Sequence, residues 1–383
     1  MRGHAERLNG LGTTIFAEMS ALAVATGSVN LGQGFPDTDG PDSLLEDAIA
    51  AIRAGANQYP PGRGIPALRQ AIVDHQKRFY DLSYDPDTQV LVTTGATEAI
   101  AAALLAFVEP GDEVIALEPY YDSYAAGIAF AGGRRIPVTL RAPSYRLDLD
   151  ELRAAVTPRT KVLLINTPHN PTGTVLTDDE LRGIRDLAVE HDLVVITDEV
   201  YEHLVYDDHR HIPLATYEGM ADRTVSIGSA GKTFSVTGWK IGWVTGSPEV
   251  VTAVTTAKQF LTYVSGSPFQ PAVANALALG NDYFNALRAT LQSRRDLLAN
   301  GLSDLGFEVH RPAGTYFITT DIRPLGHTDS IDFCRLLPER TGVVAIPTQV
   351  FYDNKEAGRP LVRWAFCKKE ELLQEALTRL QKL

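Results

Sequence analysis

The sequence predicts an α/β fold: a mostly parallel central sheet with helices on both faces, followed by a smaller α+β domain. Three observations carry this. Short Val/Ile/Leu runs recur between helical stretches throughout the first 280 or so of the 383 residues. The runs are continuously apolar rather than alternating, as strands covered on both faces are. After about residue 280 the pattern changes to one long charged helix and then to strands without regular helical spacing.

The predicted strands of the large unit are Val90–Thr93, Glu113–Leu117, Lys161–Asn166, Leu193–Thr197, Thr224–Gly228 and Gly242–Thr245. An alanine-rich helix opens at Gly95-Ala96-Thr97-Glu98 and stops at Pro110-Gly111, where proline and glycine end helices. Beyond the change in pattern, a helix over Leu287–Leu305 leads to strands at Gly314–Asp321, Val343–Ile346 and Leu361–Cys367, and an amphipathic helix from Lys369 closes the chain. The expected division is an N-terminal arm with a small-domain segment over 1–40, a large domain over 41–280 and a small C-terminal domain over 281–383.

Composition narrows the function classes. With 35 basic against 47 acidic residues the net charge is −12, and no Lys/Arg block is dense enough to track a phosphate backbone, so nucleic acid is not an expected partner. The polar first residues lack the apolar core of a signal peptide, and the longest apolar run, Ala99 to Val108, is far too short to span a bilayer. A soluble, cytoplasmic protein is expected. Cys334 and Cys367 form no Cys-x-x-Cys pair and read as packed thiols. The nine histidines offer no metal-ligand spacing beyond His209-x-His211, read as solvated in a polar loop, so no metal is expected.

In a parallel α/β sheet, ligands bind outside the carboxyl ends of the strands. The residues there are unusually polar: Gly95-Ala96-Thr97, then Asn166 to Gly173 with Asn170 between prolines, then Asp198-Glu199-Val200-Tyr201, then Ser229-Ala-Gly-Lys232. The last stretch looks like part of a phosphate-binding P-loop. However, the glycine such a loop needs at position 226 is a serine, and the following Phe-Ser-Val-Thr-Gly is a poor helix start. Taken together, the strand ends offer an amine, a carboxylate and phosphate donors. Pyridoxal 5′-phosphate needs all three, for its aldehyde, its ring nitrogen and its phosphate.

At these residues the chain resembles the fold-type I, class I/II pyridoxal-phosphate aminotransferases over nearly its full length. The matching motifs are Asn30-Leu-Gly-Gln-Gly-Phe-Pro-Asp37, Asn57-Gln-Tyr59, Asn170-Pro-Thr-Gly173, Thr197-Asp-Glu-Val-Tyr201, Ser229-x-x-Lys232, Thr237-Gly-Trp-Lys240 and Arg363, in the family's order. The resemblance implies that Lys232 bonds to the cofactor aldehyde and later shuttles the substrate proton, its pKa lowered by the cofactor and Lys240. It implies that Asp198 pairs with the pyridine nitrogen, that Asn170 and Tyr201 hydrogen-bond the cofactor's 3′-oxygen, and that Tyr121 stacks on the ring. Lys240, with Ser229, Thr97 and the Gly95–Ala96 amides, would hold the phosphate; many relatives carry arginine where this chain has Lys240. Arg363 would clamp the substrate α-carboxylate, with Asn170, Gly34 and Phe16 beside it. Tyr59 would reach the phosphate of a second subunit, making a homodimer with shared sites the working unit. Tyr263 reads as a core tyrosine, with lining the partner's pocket as the other reading.

The segments Tyr59-Pro-Pro-Gly62 and Ser267-Pro-Phe-Gln-Pro271 are most similar to those of bacterial N-succinyldiaminopimelate aminotransferases. The resemblance therefore implies transfer from an L-amino acid to a 2-oxo acid such as 2-oxoglutarate, with a succinyl-bearing donor and a role in lysine biosynthesis. The alternative is a kynurenine-, glutamine- or methionine-type aminotransferase, with a C–S β-lyase side reaction. Arg63 is a candidate for the donor's further carboxylates.

Overall fold

The structure is a computed structural model that describes residues 5–9, 12 and 14–383. Its strands, in chain order, are β1 (Val29–Asn30), β2 (Val90–Thr94), β3 (Glu113–Glu118), β4 (Arg134–Thr139), β5 (Thr160–Asn166), β6 (Val194–Asp198), β7 (Thr224–Ser229), β8 (Ile241–Thr245), β9 (Glu308–His310), β10 (Phe317–Asp321), β11 (Val343–Val344), β12 (Ile346–Pro347) and β13 (Leu361–Ala365). A seven-stranded sheet runs in the order β2-β8-β7-β6-β5-β3-β4. All its pairings are parallel except those of β8, which is antiparallel to both neighbours.

The period of two along each strand sorts side chains onto two apolar layers. Val114, Ala116, Val162, Leu164 and Ile196 face the helices Gly95–Phe107, Asp122–Phe130 and Pro248–Lys258. Their neighbours Ile115, Leu117, Leu163, Ile165 and Val195 face the helices Leu149–Ala155 and Asp178–Glu190. Each such Val, Leu or Ile contributes about 1.5–3 kcal/mol relative to exposure. The helix Asp178–Glu190 starts where it does because Thr177 and Glu180 form a reciprocal capping box.

A second sheet, β12-β13-β10-β9, is antiparallel and shares its apolar cluster with the helices Asn281–Asp304, Ser330–Thr341 and Glu370–Leu380. Met19, Val29 and Leu31 from the beginning of the chain join this cluster, and β1 pairs in parallel with β11. Val200, Tyr201, Leu204 and Tyr206, just after β6, belong to it as well, so the chain following Asp198 leads straight into the second core.

The structure corrects the sequence reading at three places. β4 was not expected, because Arg134, Arg135 and Pro137 break its apolar run; it is the sheet's last strand, where an edge tolerates proline and charge. The single strand expected over Val343–Ile346 is two, since the chain changes partner at Ala345, from β1 to β13. The charged helix begins at Asn281, earlier than Leu287.

Candidate active site

The carboxyl ends of β2, β3, β5, β6 and β7 lie along one edge of the large sheet. Because β8 runs the other way, it brings its beginning to that edge, which puts Lys240 beside residues that follow the parallel strands. A cavity of about 850 Å³ opens there. Of the residues expected at the site, it is lined by Phe16, Gly34, Gly95, Ala96, Thr97, Tyr121, Asn170, Asp198, Tyr201, Ser229, Lys232, Lys240 and Arg363.

Asp198 ends β6 beside Asn166 at the end of β5. It is 5% exposed; Tyr124 Oη donates to its Oδ2 at 2.5 Å and the Val200 N–H to its Oδ1 at 3.3 Å. Burial raises its pKa to about 6, against the pull of those two donors and of Lys232. Asn166 fixes the neighbouring turn, donating to the Asp198 carbonyl at 2.8 Å and accepting from the Asn170 N–H at 2.7 Å.

Lys232 lies in the single turn Ala230–Thr233 directly after β7, capped by the Ser229 hydroxyl. Its Nζ is 5.8 Å from the ring centres of both Tyr201 and Tyr316. Its pKa falls to about 8, chiefly through burial; Lys240 adds a smaller push the same way, while Cys367 and Asp198 oppose it. The expected lowering is thus present, but burial rather than Lys240 is its main cause.

Gly95 has φ +73°, and a Cβ there would stand 3.1 Å from Lys240 Cε and Nζ. Glycine therefore meets two needs, a left-handed backbone and close approach of an amine to a helix N-terminus. Gly34 is constrained differently: a Cβ would lie 2.6 Å from Phe317 Cζ, and its carbonyl accepts from Tyr316 Oη at 2.5 Å.

Arg363, in the middle of β13, is 1% exposed. Its Nη1 donates to Asn170 Oδ1 at 3.1 Å and its Nη2 to the Gly32 carbonyl at 2.8 Å, while buried Nε has no partner among the described residues. The guanidinium carbon lies 4.1 Å from the centre of the Phe317 ring and 5.1 Å from that of Phe16. Burial lowers its pKa to about 10, which leaves it charged at neutral pH. A buried cation that faces a cavity with, among the described residues, an unsatisfied donor and no salt bridge is built to receive an anion.

Other expected residues lie elsewhere. Tyr59 is 79% exposed and does not line the cavity; its ring makes an edge contact with Tyr263 at 5.4 Å. Tyr263, read as a core residue, is itself 55% exposed. Arg63 does not line the cavity either, and it donates to the carbonyls of Asp87 and Thr88 at 3.1 Å. His211 is not solvated: it is buried against Glu199 at 3.1 Å. Tyr124, Tyr316 and Phe317 were missed in the sequence, since their roles are contacts with residues far along the chain, and Asn166 was noted at its strand end without a role. His75, Glu202 and His203 bring ligand-type atoms within 4.8 Å of one another, a grouping sequence spacing could not reveal; the two His Nε2 atoms are 2.7 Å apart and bond each other.

The residues fit pyridoxal 5′-phosphate. A buried amine and a buried carboxylate share one cavity with a glycine-opened helix N-terminus, where Lys240 and Ser229 converge, and Arg363 Nε is left without a partner. A sheet of this topology with this constellation at its carboxyl edge defines a fold-type I aminotransferase. The chain belongs to the family of class I and II aminotransferases, whose model matches residues 26–380, and it is a pyridoxal-phosphate-dependent aminotransferase. It is 54% identical over 387 residues to a Mycobacterium tuberculosis protein described as a probable N-succinyldiaminopimelate aminotransferase, covering 98% of each chain. The solved structure of N-succinyldiaminopimelate aminotransferase from that organism superposes with a TM-score of 0.97 at 55% identity, covering 99% of each chain. The methionine aminotransferase of Escherichia coli is 39% identical, covering 98% of this chain and 97% of its own. No helix among the described residues is long and apolar enough to cross a membrane.

Proposed function

We propose that the enzyme transfers the α-amino group of N-succinyl-LL-2,6-diaminopimelate to 2-oxoglutarate, as in lysine biosynthesis. The observation that carries an α-amino acid substrate is Arg363, a buried guanidinium with an unpartnered Nε in the cavity that holds Lys232 and Asp198. The particular donor is supported by likeness to the Mycobacterium tuberculosis relative and its named substrate.

When bound, pyridoxal 5′-phosphate supplies an aldehyde that exchanges amines and a ring that withdraws electrons from the substrate's α-carbon. Lys240, Ser229, Thr97 and the Gly95–Ala96 amides would hold its phosphate, Asp198 the proton on its ring nitrogen, Asn170 and Tyr201 its 3′-oxygen, and Tyr121 its face. Tyr124 and the Val200 amide keep the Asp198 carboxylate oriented. Lys232 would hold the aldehyde carbon between turnovers, and its neutral amine, once free, would take the proton from the substrate's α-carbon. Arg363, aimed by Asn170 and Gly32, fixes the α-carboxylate so that the bond to be broken faces Lys232.

A donor panel of N-succinyl-diaminopimelate, glutamine, kynurenine and methionine against 2-oxoglutarate tests this. The succinyl donor is expected to lead in kcat/KM by about tenfold or more. A lead for methionine or kynurenine would replace the donor assignment, and release of thiol, ammonia and pyruvate from an added cysteine S-conjugate without an acceptor would reveal the β-lyase reaction.

The working unit proposed is a homodimer. Tyr59, Phe260 and Tyr263 are 79%, 83% and 55% exposed, and Thr262 between the latter two bonds to Thr94 and Glu98 at the start of the helix Gly95–Phe107. Aromatic exposure beside a phosphate-binding helix start is what a partner's site would cover. Light scattering should give twice the chain mass, and Tyr59→Phe should weaken cofactor retention. A monomer that keeps its cofactor as tightly would overturn this.

A further inference from the structure

The cavity runs from a sealed floor to an open rim. Arg363 and Asp198 at the floor are 1% and 5% exposed, whereas the side chains of Arg335 and Glu18, which also line it, are 55% and 41% exposed. Among the described residues, the lysines and arginines lining it are Lys232, Lys240, Arg335 and Arg363. Of these four, Arg335 alone has no part in the mechanism proposed.

Arg335 sits on the helix Ser330–Thr341 four positions after Ile331, the spacing that puts two side chains on one helix face, and both line the cavity. Its Nε donates to Glu18 Oε1 at 2.8 Å, and among the described residues its two terminal nitrogens have no partner. Glu18 comes from the helix Ile15–Thr26, two residues after Phe16, whose ring lies near the Arg363 guanidinium. An ion pair this exposed is held weakly, so another carboxylate can exchange with Glu18 at little cost. A guanidinium with free terminal nitrogens can then grip that carboxylate through two N–H groups. The two arginines therefore read opposite ends of one ligand, the buried one its reacting end and the exposed one its far end.

We propose that Arg335 selects acidic amino donors by taking a distal carboxylate in exchange for Glu18, while Arg363 holds the α-carboxylate. This deepens, and as regards Arg363 rests on, the function proposed above. It also gives the site a means of separating a succinyl-bearing donor from methionine or kynurenine, whose side chains carry no carboxylate.

The test uses two unreactive ligands of equal chain length, heptanedioate and heptanoate, titrated into the holoenzyme by calorimetry. The wild type should prefer the dicarboxylate by about tenfold or more, the size of a charge-assisted contact. R335Q should erase the preference and R335K should keep part of it. E18Q breaks the same ion pair but leaves the cation free, so the preference should persist or widen. If the pair were only structural, R335Q and E18Q would act alike. A wild type without the preference, an R335Q enzyme that keeps it, or equal loss in E18Q would each overturn the proposal. If the preference depends on Arg335 but another acidic amino acid added to the panel outruns the succinyl donor, the donor assignment falls and Arg335 stands; a neutral donor in the lead overturns both. If the panel favours the succinyl donor but R335Q still prefers heptanedioate, Arg335 alone falls.

Discussion

Lys232→Ala should lower turnover by roughly four to six orders of magnitude while leaving the cofactor bound. The loss is large because, in the mechanism proposed, one nitrogen both holds the aldehyde carbon and moves the substrate's α-proton. The second task needs a neutral amine. With its pKa lowered from 10.5 to about 8, a sizeable fraction of Lys232 is neutral near pH 7.5, where an ordinary lysine would be neutral on the order of one time in a thousand. The cofactor should stay because the phosphate and ring contacts proposed for it belong to other residues. Lys232→Arg keeps the cation but cannot supply a neutral amine, so it should be as inactive as the alanine variant. Two measurements check this: single-turnover rates for the three enzymes, and borohydride treatment, which should fix the cofactor to the peptide containing Lys232 in the wild type only. An alanine variant within tenfold of wild type would remove Lys232 from the mechanism.

What the sequence made legible follows from the strands. The parallel runs announce themselves through continuous apolar stretches, and whatever follows such a run lies at the ligand-binding edge; Asn170, Asp198, Ser229 and Lys232 could be picked out by position alone. Lys240 could not. It precedes β8, and only the reversed direction of that strand brings it to the same edge, so its place rested on resemblance to the family. Tyr124 and Asp198 are 74 positions apart, and no local pattern foretells that hydroxyl's contact with the carboxylate. The same holds for Arg335, an ordinary helix-face arginine until the helix Ile15–Thr26 packs beside it. Tyr263, expected in the core, is 55% exposed, because an aromatic side chain in the sequence signals burial without saying that its own chain does the burying.

Asp198→Asn should have opposite effects on the two forms of the enzyme. In the holoenzyme proposed, the carboxylate would balance the proton on the ring nitrogen and the neutral amide would not, so kcat should fall by roughly two to four orders of magnitude. Without cofactor, the carboxylate is a buried acid with a pKa raised from 3.8 to about 6 by burial. A raised pKa contributes stability that is fully present below 3.8 and lost as pH rises through 6, so above pH 6 the cofactor-free protein carries an ionised Asp198 at a cost of about 1–3 kcal/mol. Asparagine has about the same shape, can still accept from Tyr124 and does not titrate. Cofactor-free D198N should therefore be more stable than cofactor-free wild type at pH 8, with the gap narrowing below pH 6, as read from denaturant titrations at pH 8 and pH 5. A purely structural role for Asp198 would instead make the variant less stable in both forms and at both pH values. That outcome would separate the carboxylate from the chemistry, whereas gain without cofactor and loss with it marks a charge held in an unfavourable place for the sake of the cation it meets there.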